Sequence, residues 1–224
     1  MILSFYSPNE CPVCGRELPE SSVICGLCRS ILEKERIPEN SRCSVCYSQI
    51  HDGICEYCSS RNIFFNRHIS LYRFSRNWMK VLHRWKFEND RPLVRIFIHA
   101  LKDIIHLLPE DSLLLHLSSG ISGYDVRAYQ PCRDTEILLS RISGLKQGGS
   151  LKKNQRSRQS ARSYKDRFVK IRKSYDPSNI LYSKKYVLIE DLFTTGATGN
   201  EVAKILKENG AEYVMIISLL MREN

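Results

Sequence analysis

Tyr186-Val-Leu-Ile-Glu-Asp-Leu-Phe-Thr-Thr-Gly-Ala-Thr-Gly199 runs from an apolar stretch, through two adjacent acids, into a threonine- and glycine-rich turn. The apolar part, Val187–Ile189, is short and is stopped by turn-forming residues, which favours a buried strand over a helix. Glu190 and Asp191 then sit where the strand leaves the sheet. In an open parallel sheet that edge is where ligands bind. Thr194, Thr195, Gly196, Ala197 and Thr198 can turn backbone N–H groups and hydroxyls towards one point. A helical pattern opens behind them and adds the partial positive charge of a helix N-terminus. Together these parts make a cradle suited to a phosphate. An ordinary strand–turn–helix, with Thr195 or Thr198 as the helix cap, accounts for the turn alone. It does not account for the acid pair at this offset.

The first quarter of the chain carries an independent signal. Eight cysteines form four Cys-x-x-Cys pairs: Cys11/Cys14, Cys25/Cys28, Cys43/Cys46 and Cys55/Cys58. Each pair can present two thiolates from one tight turn, and two pairs complete a tetrahedral all-sulfur site. The simplest grouping is Cys11, Cys14, Cys25 and Cys28 for one Zn2+, and Cys43, Cys46, Cys55 and Cys58 for a second. An interleaved grouping needs longer chain crossings. Cys-Pro-Val-Cys and Cys-Ser-Val-Cys resemble each other, which suggests a small internal duplication. Met1–Glu10 has no basic stretch and no long apolar core, so it does not read as a signal peptide. Metal sites are therefore expected rather than disulfides. Four thiolates fill the coordination sphere, so both zincs should be structural. His51 lies in the second loop and is not needed as a ligand. Cys132, the odd cysteine, reads as a small core residue.

At 224 residues the chain has room for one domain of ordinary size and a small metal-stapled module. Its longest apolar runs fall short of the ~18–20 residues that span a bilayer, which predicts a cytoplasmic protein with no membrane insertion. The formal net charge of +10 is concentrated between Lys152 and Lys173, where ten Lys/Arg face one acid, Asp166. So polar and basic a stretch reads as a solvated loop that meets polyanions. Lys152, Lys153, Arg156 and Arg158 are its candidate phosphate contacts, and Tyr164 and Tyr175 could stack on bases.

Strand-like and helix-like segments alternate through the rest of the chain, which implies a parallel sheet. Ile63–Phe74 reads as a bridge from the metal module to the first strand. Trp78–Phe87 and Leu93–Ile105 have helical spacing. Ser112–Leu117 reads as a strand, Thr135–Ile142 as a helix, and Gly144–Gly149 as the opening of the basic loop. Phe168–Ile171, Val187–Ile189 and Tyr213–Leu219 read as further strands. Glu201–Glu208 is the helix behind the phosphate turn, ended by Gly210.

The stretch 186–199 resembles the signature of type I phosphoribosyltransferases: apolar residues, two acids, two variable apolar residues, then Thr-Thr-Gly-x-Thr. With the paired cysteine motifs, nearly the whole chain resembles the ComF (GntX-like) family of competence proteins. Lys86-Phe87-Glu88-Asn89-Asp90 resembles that family's Lys-aromatic…Gly-Asp element. Leu151, Arg156 and Gln159 sit roughly where it has Leu, Arg and Asn. The resemblance implies a double zinc ribbon over residues 1–62 and a phosphoribosyltransferase-type parallel β-sheet flanked by helices over 63–224. It implies that Thr194–Thr198 grip the 5′-phosphate of phosphoribosyl pyrophosphate, accompanied by Mg2+, and that Glu190 and Asp191 hold the ribose hydroxyls. It also implies a role in DNA uptake, with single-stranded DNA and the uptake machinery as partners. The alternatives are an active phosphoribosyltransferase acting on a nitrogenous base and a non-catalytic phosphoribosyl pyrophosphate sensor. The family's Val-Pro-Val-Pro, His and Arg-Gly-Phe-Asn-Gln elements are not reproduced in Leu113–Gln130, where Arg127-Ala128-Tyr129-Gln130 is a weak echo. In type I enzymes this edge helps to bind pyrophosphate.

Overall fold

The computed structural model describes residues 9–38, 40–50, 52–88, 90–117, 131–153, 175–176 and 180–223. Its centre is a parallel sheet of five strands, β1 (Arg67–Arg73), β2 (Leu113–Leu117), β3 (Lys146–Lys153), β5 (Lys185–Phe193) and β6 (Tyr213–Met221), in the order β1-β6-β5-β2-β3. The two-residue β4 (Tyr175–Asp176) adds antiparallel to the β3 edge. Strands of a parallel sheet are covered on both faces and read as near-continuous apolar runs. β6 follows this rule, with every residue after Tyr213 buried.

Helices cover the sheet. They are α3 (Arg76–Phe87), α4 (Ile98–Asp103), α5 (Pro131–Ser143) and α6 (Ala197–Glu208). Ser75 caps α3 by accepting from the Trp78 N–H at 3.3 Å. That helix buries Trp78 and Trp85, which stack on Phe97 with ring centroids 4.9 and 5.7 Å away. α6 stops at Gly210, whose φ of +93° favours glycine, and the Ala211 N–H returns to the Leu206 carbonyl at 3.0 Å.

The cysteine-rich segment carries two short helices, α1 (Gly26–Glu33) and α2 (Glu56–Ser59). It is docked on the sheet rather than tethered beside it. Lys80 and Arg84 of α3 donate to the Val13 and Glu10 carbonyls at 2.8 and 2.7 Å, and Arg42 pairs with Glu223 just past β6. Buried residues of the two parts belong to one continuous cluster.

Several expectations need correction. Ile63–Phe74 contains the first strand, β1, instead of leading to it. Gly144–Gly149 does not open a loop, because β3 begins at Lys146 and runs through Lys153. Glycine weakens strand signals, yet Gly148 is needed here. A Cβ at that position would lie 2.9 Å from the Leu113 Cβ of the neighbouring strand. Leu93–Ile105 is not one helix but a 3-10 segment, Arg91–Phe97, running into α4 and then a second 3-10 turn. The expected strand Phe168–Ile171 lies outside the described residues.

Candidate functional site

Each cysteine group is assembled as the simplest grouping requires. Cys11, Cys14, Cys25 and Cys28 place their sulfurs within 4.8 Å of one another, and so do Cys43, Cys46, Cys55 and Cys58. A tetrahedron with metal–sulfur bonds of about 2.3 Å has edges of about 3.8 Å. Cys14–Cys25 and Cys43–Cys58 each span 3.8 Å, and Cys46–Cys55 spans 3.3 Å. These separations are far beyond a disulfide's ~2.05 Å. The thiol of Cys28 is pushed up by burial and then by its sulfur neighbours, and Cys58 likewise. Four thiolates in one group therefore call for a cation at their centre, and each group can hold a thiophilic ion such as zinc.

At the other end of this segment lies the sheet's carboxyl edge. β5 does not end at the acid pair as expected. It continues to Phe193, paired with β6 through Glu190–Ser218, Leu192–Leu220 and Phe193–Met221. Among the described residues β2 pairs with β5 only as far as His116–Ile189. Glu190 and Asp191 thus begin where β5 has lost one neighbour. The turn follows, and Gly196 occupies the N-cap of α6 with φ +64°. Ala197 and Thr198 form the first helical turn instead of remaining in the loop. The N–H groups of such a turn have no partner inside the helix. Thr194, Thr195 and Thr198 are exposed around them. The Thr195 hydroxyl accepts from the Ala197 N–H at 3.4 Å.

The two acids differ in environment. Asp191 is about a quarter exposed and pairs with Lys86 from the last turn of α3. The segment singled out for its Lys-aromatic pattern is thereby brought onto the acid pair. Glu190 is buried beneath α6, and a Cβ at Gly199 would lie 2.8 Å from its Oε1. That oxygen has no hydrogen-bond partner among the described residues. Burial, and then the charge of Asp191, push the Glu190 carboxyl up to about 8. The folded chain therefore holds this proton more tightly than the unfolded chain does. Stability is unaffected below the ordinary carboxylate range, falls as pH rises towards 8, and is lowest above it. Glu190→Gln removes the penalty. Its stability gain over the parent in urea unfolding should be about 2–3 kcal/mol larger at pH 8.5 than at pH 6. An equal difference at both pH values would mean that Glu190 is ionised throughout.

Cys132 packs under this edge, and burial followed by the Asp191 charge pushes its thiol well up, as fits an unreactive core residue. Sequence reading missed the neighbouring pair on β2 and α5, where the His116 Nδ1 and the Glu136 Oε2 are 2.6 Å apart and both side chains are buried. A histidine breaking the apolar run Leu113-Leu-Leu-His-Leu117 was the available signal.

Sequence reading also missed the contacts that join the metal-binding segment to this edge. His68 of β1 is fully buried, stacked on Phe193 at 3.8 Å, and within 2.8 Å of both the Cys46 carbonyl and the Ser218 hydroxyl. Burial pushes its imidazole down to about 4, so it is neutral. The carbonyl requires a proton on Nδ1, which leaves Nε2 to accept from Ser218. Tyr57, between Cys55 and Cys58, donates its hydroxyl to the Thr195 carbonyl at 3.0 Å, and Arg61 donates to the same oxygen at 3.0 Å.

No protein-family model matches the chain. Two curated proteins match it over most of its length. The competence protein ComFC of Streptococcus pneumoniae is 25% identical over 203 residues, covering 90% of this chain and 89% of that protein. Competence protein F of Haemophilus influenzae is 26% identical over 229 residues, covering 87% of this chain and 95% of that protein. Both of these similar proteins are competence proteins. Among solved structures, a Staphylococcus aureus hypoxanthine phosphoribosyltransferase superposes with a TM-score of 0.40 and 13% identity, covering 60% of this chain and 64% of that one. So loose a likeness carries no argument.

The basic stretch lies only partly within the described residues. Lys152 and Lys153 end β3. Arg156, Arg158, Tyr164 and His51 lie outside the described residues. No helix among the described residues is long and apolar enough to cross a membrane.

Proposed function

We propose that this chain is a cytoplasmic ComF-type protein that binds phosphoribosyl pyrophosphate or a related sugar phosphate at the carboxyl edge of its sheet and serves DNA uptake by handling single-stranded DNA. On this reading residues 1–62 form a double ribbon around two structural Zn2+ ions, and 63–224 form a phosphoribosyltransferase-like domain. The observation that carries the phosphate site is Gly196 in a left-handed conformation at the N-cap of α6, directly after the acid pair. Amides of Gly196, Ala197 and Thr198, with the hydroxyls of Thr194, Thr195 and Thr198, would take the phosphate. Asp191 would take a ribose hydroxyl, and Glu190 would reach the sugar through its other oxygen, since Oε1 is buried against Gly199. Mg2+ would arrive with the pyrophosphate, since one exposed acid beside a lysine is no multi-oxygen cage.

A second reading, binding without turnover, is favoured by Glu190. Held neutral up to about pH 8, it withholds negative charge from the positive charge that sugar transfer develops on the ribose. In an active phosphoribosyltransferase, ionised Glu190 and Asp191 would stabilise the positive charge that develops on the ribose as it passes from pyrophosphate to an acceptor base.

Calorimetry with phosphoribosyl pyrophosphate and Mg2+ tests the sugar-phosphate half. Saturable binding supports it, and no heat contradicts it. Single-stranded DNA tests the other half. Binding driven by counterion release falls steeply with salt. Replacing Lys152, Lys153, Arg156 and Arg158 by serine should flatten that dependence by about two to three units of slope, at about 0.7 per lost contact. An unchanged slope would move the contact surface to the zinc ribbons. No binding by the parent at low salt would remove the DNA role.

A further inference from the structure

We propose that Tyr57 and Arg61 of the second cysteine unit are positioning residues for the phosphate turn, so that the turn takes its binding shape only while that unit is folded around its metal. This rests on the sugar-phosphate reading above and extends it to residues on another part of the fold.

One peptide bond, Thr195–Gly196, joins the second cysteine unit to the turn. The Thr195 carbonyl accepts from the Tyr57 hydroxyl and from Arg61 Nη1, each at 3.0 Å. A trans peptide is planar, with its C=O and its N–H pointing in opposite directions. Drawing the Thr195 carbonyl towards the ribbon therefore aims the Gly196 N–H away from it, to the side on which a phosphate would sit. The two donors brace each other, because the Arg61 guanidinium lies 4.1 Å from the centre of the Tyr57 ring. Tyr57 also rests against Phe193, with ring centroids 5.9 Å apart. The fit leaves no slack at the turn, since a Cβ on Gly196 would lie 2.1 Å from the Tyr57 hydroxyl and 2.4 Å from the Phe193 ring.

The first turns of α6 are held by the same segment. The Asn200 side chain accepts from the Phe64 N–H at 2.7 Å and donates to the Asn62 carbonyl at 2.8 Å. Tyr57 stands between two sulfur ligands, Cys55 and Cys58, and Arg61 follows three residues later. Losing the metal at this unit would release both donors together. Coupling of this kind is reciprocal, so a bound sugar phosphate should slow zinc loss from the second unit.

The full-length chain with Tyr57→Phe, Arg61→Ala and both changes provides the test, with two zincs per chain confirming an intact fold. Each single change should weaken ribose 5-phosphate about threefold to tenfold, and the pair should weaken it further. Amide exchange at residues 195–200 should quicken in the double variant. In the parent, saturating ribose 5-phosphate should slow transfer of the second zinc to a chromophoric chelator. Variants that bind as the parent does, with unchanged exchange, would overturn the proposal. If the parent itself binds no ribose 5-phosphate, the sugar-phosphate reading fails. Exchange then decides only whether Tyr57 and Arg61 hold the turn: faster exchange at 195–200 in the double variant upholds that bracing, and unchanged exchange overturns it.

Discussion

Gly196→Val should abolish ribose 5-phosphate binding, by about a hundredfold or more, while both metals stay bound. Two penalties combine at this residue. Its φ of +64° lies in the region that a β-branched side chain avoids. Its Cβ would also collide with the Tyr57 hydroxyl and the Phe193 ring, two groups that cannot both step aside because each is packed against the other. The turn must then rebuild, and rebuilding rotates the Thr195–Gly196 peptide, whose N–H is proposed to take the phosphate. The N-cap of α6 moves with it. Calorimetry with ribose 5-phosphate, beside metal analysis of the same sample, checks the expectation. A variant that binds as the parent does would show that the ligand does not approach this turn.

Cys46→Ser should reduce the metal content from two ions per chain to one and destabilise the sheet as well as the ribbon. Metal binding at sites of this kind contributes about 10–16 kcal/mol to folding, far more than any side-chain contact in the chain. The damage spreads because the second unit is not a separate bead. The Cys46 carbonyl holds His68, which is stacked on Phe193 and bonded to Ser218 in the middle of β6. Thermal unfolding followed by a sheet-sensitive signal should shift down with the metal content. Strong chelator should reproduce the shift in the parent. A midpoint that stays put after loss of the second ion would mean that the sheet stands without the ribbon.

Much of this fold can be read from local residue chemistry. The four Cys-x-x-Cys pairs specify their grouping because a tetrahedral site needs two nearby turns, and the structure assembles them that way. Val187–Ile189 and Tyr213–Leu219 announce buried parallel strands through apolar character that only Ser218 interrupts. β3 escapes because Lys146-Gln-Gly-Gly-Ser lacks the branched residues that mark strands, and its glycine is there for close packing on Leu113. β1 escapes because His68 and Ser70 interrupt its pattern. Both are buried polar residues, and His68 has its partners on segments distant in sequence. Tyr57 and Arg61 were illegible for the same reason, since their role depends on a carbonyl more than 130 residues away. The depth of Glu190 was also hidden. An acid at a strand end reads as solvated, and only the packing of Gly199 against it shows otherwise.

The turn between β5 and α6 is proposed as the place where a sugar phosphate binds. Amide chemical shifts of the isotope-labelled, zinc-replete chain, recorded as ribose 5-phosphate is added, test it most directly. The largest changes should fall on the amides of Thr195, Gly196, Ala197, Thr198 and Gly199, saturating together and reproduced more weakly by inorganic phosphate. Saturating changes that fall elsewhere and leave these five amides still, or none at all at millimolar ligand, would contradict the account.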